Sequence, residues 1–119
     1  MREKVPLKPI EWMGNSLKVL QSFPTDVQRS IGHSLMVVQN GLMPSDAKYF
    51  KGVGSGVFEI MTRYDSDSYR TVFALKIAEQ VYVLHVFQKK SKTGVKTPQK
   101  DIDLILSRYR EALHQEEIK

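Results

Sequence analysis

His85 sits inside an otherwise apolar run, Val81-Tyr82-Val83-Leu84-His85-Val86-Phe87, that leads straight into lysines. Imidazole exchanges protons near neutral pH and ammonium groups attract polyanions, so the two features together point to proton transfer beside a phosphate. Between Gln88 and Lys100 the chain carries five lysines (Lys89, Lys90, Lys92, Lys96 and Lys100) and no acidic residue. No local carboxylate offsets their field, which favours a nucleic-acid partner. The competing reading is a solvated loop kept soluble by its charge. Lys48 and Lys51 add candidate backbone-phosphate contacts on a glycine-containing stretch, and Glu59, Arg63 and Arg70 supply further ionisable groups upstream.

These side chains need a scaffold, and its elements can be read from periodicity. A short strand is expected over 8–13. Asn15 can cap a short helix carrying Leu17 and Leu20, which Phe23-Pro24 interrupts. Val27, Ile31, Leu35 and Val38 then share one face of a second helix that Gly41 closes, with Gly32 marking a close approach to another element. Residues 42–56 read as a loop. Their Gly-Val-Gly-Ser-Gly run lacks the preceding strand and following helix of a dinucleotide fingerprint, so it is a flexible lead-in to a strand. Strands follow over 57–64, 69–77 and 81–87 as an antiparallel meander. Thr97 caps a last helix with Pro98 in its first turn and Ile102, Ile105, Leu106, Tyr109 and Leu113 on one face; residues from 114 to 119 are expected to fray. The expectation is a single α+β domain over 1–119, two N-terminal helices packed on an antiparallel sheet with a C-terminal helix, the helices against one face.

Two-residue hairpin loops fix a register. If 65 pairs with 68 and 78 with 81, Arg63, Arg70 and Lys89 form one cross-strand row, and Glu59, Ala74 and His85 a parallel row beside it. Phe58, Ile60, Thr71, Phe73, Leu75, Leu84 and Val86 take the opposite face, toward the helices. Three adjacent cations repel unless an anion compensates, so the row reads as an oxyanion site in which Arg70 binds phosphate through its planar fork. On that reading, truncating Arg70 relieves repulsion and leaves stability unchanged or slightly higher. The alternative is that Glu59 and Asp65 neutralise the arginines as ion pairs. Glu59, across a small residue from His85, can orient the imidazole or act as base.

Other chemistries find less support. The chain has no cysteine, which excludes disulfides and thiolate metal sites and fits a reducing cytosol. Its histidines, His33, His85 and His114, are scattered, so no metal and no cofactor is expected. No nucleophile-elbow pattern supports a serine triad. The formal net charge of +5 is concentrated in the lysine segment. No secretory signal and no membrane span are read, and a soluble, cytoplasmic location is expected.

Tyr69-Arg70, the run Leu84-His85-Val86-Phe87-Gln88-Lys89-Lys90 and the Thr97-Pro98 helix start resemble the HigB-like, phage-derived branch of the RelE superfamily of bacterial toxins. The resemblance implies a compact microbial RNase fold and a ribosome-dependent endoribonuclease that cuts messenger RNA without metal. In such enzymes the adjacent 2′-hydroxyl attacks, leaving a 2′,3′-cyclic phosphate and a 5′-hydroxyl. Arg70 then matches the arginine that stabilises transition-state charge, His85 the histidine of this branch, and Lys89 and Lys90 the cationic segment after the last strand. Glu59 and Arg63 fall where relatives carry ionisable groups. Lys48, Lys51, Lys90, Lys92 and Lys96 are the expected RNA contacts. The second strand lacks the lysine pair of some RelE-type enzymes, and no tyrosine follows the lysines. Implied partners are the ribosome, messenger RNA and a HigA-like helix-turn-helix antitoxin. Two alternatives are a ParE-like gyrase poison, which has no need of Arg70, His85 and Lys89, and a non-toxic phage nucleic-acid-binding protein.

Overall fold

The computed structural model describes residues 7–90 and 96–117. They form, in chain order, β1 (Ile10–Trp12), α1 (Ser16–Gln21), α2 (Thr25–Gln39), β2 (Ala47–Tyr49), β3 (Val57–Tyr64), β4 (Asp67–Ile77), β5 (Gln80–Lys89) and α3 (Gln99–Glu117). The α+β class and the C-terminal helix are as expected. The sheet is mixed, with order β1-β5-β4-β3-β2: β2 to β5 are antiparallel, and β1 adds a parallel edge to β5.

Helices cover both faces, in place of the one expected. On one face Leu20 of α1 and Val27, Ile31, Leu35 and Val38 of α2 pack against Ile60, Tyr69, Phe73, Val81, Val83 and Val86. On the other, Ile105 and Ala112 of α3 pack against Val57, Val72, Ala74, Tyr82, Leu84 and Phe87. The central strands β4 and β5 thus bury both sets of alternating side chains, which explains why β5 reads as a near-continuous apolar run. Leu17 is exposed, and so is Leu113, which spacing placed on the apolar face of the last helix; Ala112 takes the inward position on α3.

Helix α2 ends as its sequence requires. Gly41 adopts φ +83°, its N–H donates to the Val38 carbonyl, and Leu42 N–H reaches back to Val37, a paired closure that needs a left-handed residue at this point. Gly32, by contrast, has open space where a Cβ would stand, so no element approaches it. The glycine run is neither a phosphate cradle nor a long loop. It turns β2 into β3, and Gly54 lies where a Cβ would strike the Tyr109 ring at 2.5–2.7 Å. Helix α3 starts at Gln99, its first amides bonding to the Pro98 carbonyl. It continues past His114 through Glu117, and Glu116 accepts a hydrogen bond from the Tyr82 hydroxyl.

Both hairpin turns lie one residue earlier than the expected register. Asp65 (φ 51°) and Ser66 (φ 72°) form the first, so Tyr64 pairs with Asp67; Ala78 (φ 51°) and Glu79 (φ 54°) form the second, so Ile77 pairs with Gln80. Two consecutive positive φ values match the right-handed twist of the strands, and that match sets the turn position. Outside the stretch between two register shifts, where Phe73 and Ala74 move by three, the displacement moves each partner by two residues and therefore preserves the face of its side chain. A bulge then intervenes, with Val72 opposite His85 but Phe73 opposite Val83. Leu84 is the inserted residue and joins the α3-side cluster rather than the α2 side.

Candidate functional site

The observed cross-strand rows are Glu59–Val72–His85, Met61–Arg70–Phe87 and Arg63–Ser68–Lys89. All five expected site residues, Glu59, Arg63, Arg70, His85 and Lys89, share the sheet face that α3 covers. They zigzag across it instead of forming a cationic row. Like charges are thereby kept from lying directly opposite one another.

Arg70 is committed to Glu59. One guanidinium nitrogen lies 3.2 Å from both carboxylate oxygens, and the two residues are 8% and 2% exposed. This is the ion-pair alternative, realised as a buried pair rather than a surface one. Lys48 belongs to strand β2 rather than to a loop, opposite Glu59, with its ammonium 4.0 Å from the same carboxylate. Arg63 is exposed at the margin of the face, and Lys51 is exposed in the β2–β3 turn.

Lys89 departs furthest from the picture of a surface lysine cluster. It is 5% exposed, and its ammonium donates to the Lys96 carbonyl. Burial lowers its pKa, and the positive Arg70 lowers it further; Glu59 pulls the other way. Lys90, Lys96 and Lys100 are exposed, with Lys90 4.0 Å from Asp67. Lys92 lies outside the described residues.

His85 is 8% exposed and stacks on Phe87 with ring centroids 5.0 Å apart. Its Nε2 is 2.7 Å from Asp101 Oδ1, and its Nδ1 is 3.4 Å from a guanidinium nitrogen of Arg108. That guanidinium also donates to the Leu84 carbonyl of the bulge at 2.9 Å and to Asn15 Oδ1 at 2.8 Å. Asn15 therefore faces Arg108 instead of capping α1 through its side chain. Burial depresses the His85 pKa; Asp101 opposes that shift and the nearby Arg108 charge reinforces it.

Asp101 and Arg108 were not among the residues singled out from sequence. Their signal was present: Asp101, Ile105, Arg108 and Ala112 recur at spacings of four, three and four, one stripe of a helix. Counting only apolar positions hid that stripe, because two of its four members are charged.

Where β5 ends and α3 begins, a cleft of about 310 Å3 opens, lined by Phe87, Gln88, Lys89, Lys90, Pro98, Lys100 and Asp101. Three lysines and an aspartate hydrogen-bonded to a histidine thus line a single opening. Such a lining can take an anion and exchange a proton with it. Among the described residues no group of three or more His, Cys, Asp or Glu side chains is placed to hold a metal ion. No helix among them is long and apolar enough to cross a membrane.

Residues 18–110 match the model of the family described as "Phage derived protein Gp49-like (DUF891)". The chain belongs to the Gp49-like family. This is a RelE/HigB-like toxin family. The matched span contains every residue of the cleft, the Glu59–Arg70 pair and the Arg108–His85–Asp101 chain. No curated protein and no solved structure matches the sequence.

Proposed function

We propose that this Gp49-like protein is the toxin of a type II toxin–antitoxin pair, of the HigB-like branch, and that it acts in the cytoplasm as a ribosome-dependent, metal-independent endoribonuclease on messenger RNA. The observation that carries the reading is the cleft itself, where lysines line one opening with Asp101, whose carboxylate is hydrogen-bonded to the buried His85. In-line attack by a ribose 2′-hydroxyl on the neighbouring phosphorus needs a proton acceptor and cations around the phosphate, and no more than that. The Gp49-like family supports a toxin with an antitoxin partner, and we take that partner to be a HigA-like helix-turn-helix protein.

In this reading Lys90 and Lys100 hold the phosphate from the open side, and Lys89 supports it from beneath. The His85–Asp101 pair handles the proton. Arg70, bound to Glu59, adds positive potential behind Lys89 instead of gripping the phosphate with its own fork. Arg63, Lys48, Lys51 and Lys96 extend the cationic surface toward the RNA backbone, and Lys92, outside the described residues, is proposed as a further RNA contact.

Expression in bacteria without an antitoxin tests this. Amino-acid incorporation should fall before DNA synthesis does, and mapped RNA ends should show cuts within translated messages bearing 5′-hydroxyl termini. DNA synthesis stopping first, with altered supercoiling, would replace this reading with the gyrase-poison one. Substituting Lys90, Lys92 and Lys96 together by Gln should weaken ribosome binding and flatten its salt dependence through fewer released counterions. An unchanged salt slope would return these lysines to a solubilising role.

A further inference from the structure

We propose that Asp101, rather than His85, is the catalytic residue that takes the proton from the attacking hydroxyl, and that Arg108 and His85 are positioning residues behind it. The proposal rests on the ribonuclease reading and deepens it. Guanidinium has donors and no acceptor, so the His85 nitrogen facing Arg108, Nδ1, must be the unprotonated one. The imidazole proton is then on Nε2, where it is donated to Asp101 Oδ1 at 2.7 Å. Both ring nitrogens are occupied and the ring is stacked on Phe87, so the imidazole offers no lone pair to a substrate. Asp101 does line the cleft, together with Lys89, Lys90 and Lys100. Histidine engages only Oδ1, and Asp101 lines the cleft that a phosphodiester would enter.

The order Arg108, His85, Asp101 thus ends in a carboxylate at the substrate side, with the histidine as a neutral support. Asn15 and the Leu84 carbonyl hold Arg108 from the far side, so the support is tied to the α1 N-terminus and to the bulge in β5. In the step itself the 2′-hydroxyl proton passes to the Asp101 carboxylate while the 2′-oxygen bonds to phosphorus. The bond from phosphorus to the 5′-oxygen breaks, its electron pair staying on that oxygen, which takes a proton from water. The products are a 2′,3′-cyclic phosphate and a 5′-hydroxyl, and Asp101 returns its proton to solvent. The titratable and charged groups around Asp101 are the neutral His85 and Lys89 from β5, Lys90 just after it, and Lys100 and Arg108 from α3, with Arg70 of β4 and Glu59 of β3 behind Lys89.

Single-turnover cleavage of a ribosome-bound message, measured against pH, separates the roles. Asp101→Asn still accepts the His85 hydrogen bond and should fold, yet should cut about 10²-fold more slowly, as removal of a general base does, and lose the acid limb of the profile. Asp101→Ala should recover part of its rate in added formate. His85→Gln and Arg108→Gln should keep the acid limb at reduced rate. Parental cleavage by Asp101→Asn, or an acid limb that disappears with His85→Gln and survives in Asp101→Asn, overturns the assignment in favour of His85. Slow cleavage by Asp101→Ala that formate does not restore leaves Asp101 as a structural tie and also overturns it. If the parental protein cuts no RNA on ribosomes, it is the ribonuclease reading that fails, and a different experiment has reported it.

Discussion

The two faces of the sheet are both buried, yet they are built from different materials. The face under α1 and α2 is aliphatic and aromatic, its polar exceptions being the hydroxyls of Thr62, Thr71, Ser16 and Ser34. The face under α3 holds Glu59, Arg70, His85 and Lys89, none more than 8% exposed, and draws in Asp101 and Arg108 from the helix. Buried ion pairs are poor sources of stability, since desolvation cancels most of their attraction and well-packed apolar side chains do as well or better. Folding alone would therefore give the two faces the same composition. The face whose composition is costly is the one that opens into the cleft.

The largest expected effect breaks that asymmetry at the Glu59–Arg70 pair. Arg70→Ala leaves a carboxylate that is 2% exposed without its closest cation, Lys48 and Lys89 lying farther off, and should cost about 3–5 kcal/mol in urea unfolding. This reverses the sign expected from a repulsive row, because the zigzag register supplies Arg70 with a carboxylate rather than with other cations. Replacing both residues by Met should restore most of the loss. If Arg70→Ala is as stable as the parent, the pair is not compensating a buried charge, and the contrast between the faces loses its energetic basis.

Much of this arrangement was legible in the sequence. The α+β class, the antiparallel β3–β5 meander and the helix ending at Gly41 followed from periodicity and turn chemistry. So did the sharing of one face by Glu59, Arg63, Arg70, His85 and Lys89, since alternation along a strand survives a two-residue error in pairing. What was hidden depended on tertiary placement. A parallel β1 cannot be told from a lone edge strand, and the three residues of β2 are too short to show a period. Which face α3 covers is likewise not a local property. It determined that Asp101 and Arg108 would meet His85, while the strand register, displaced at both turns, determined that Arg70 would find Glu59.

A smaller effect, of opposite sign, should come from the other face. Thr71 is fully buried there, and its hydroxyl has no hydrogen-bond partner among the described residues. Thr71→Val keeps the shape and removes a desolvated polar group, so it should raise stability by about 1 kcal/mol. A loss of that size would mean that this face, too, depends on a polar contact, and the two would differ less than they do in composition.

The smallest effect is a pH dependence confined to one face. The His85 pKa is lowered from its ordinary 6.5, first by burial and then by Arg108, with Asp101 opposing. In the interval between the lowered value and 6.5, the unfolded chain binds a proton that the folded chain refuses. The stability that this difference contributes is complete above the unfolded value and is lost as pH falls through the folded one. Stability should therefore decline on acidification from neutrality, at no more than about 1.4 kcal/mol per pH unit for a single proton. His85→Gln should flatten that slope wherever the carboxylates are still ionised. Thr71→Val should displace the whole curve without changing its slope, because the substitution neither adds nor removes a titratable group. Denaturation midpoints of the three proteins between pH 5 and 7 decide the matter. A slope that survives His85→Gln unchanged would place the titration elsewhere and leave the imidazole without the electrostatic confinement by Asp101 and Arg108 that distinguishes its face.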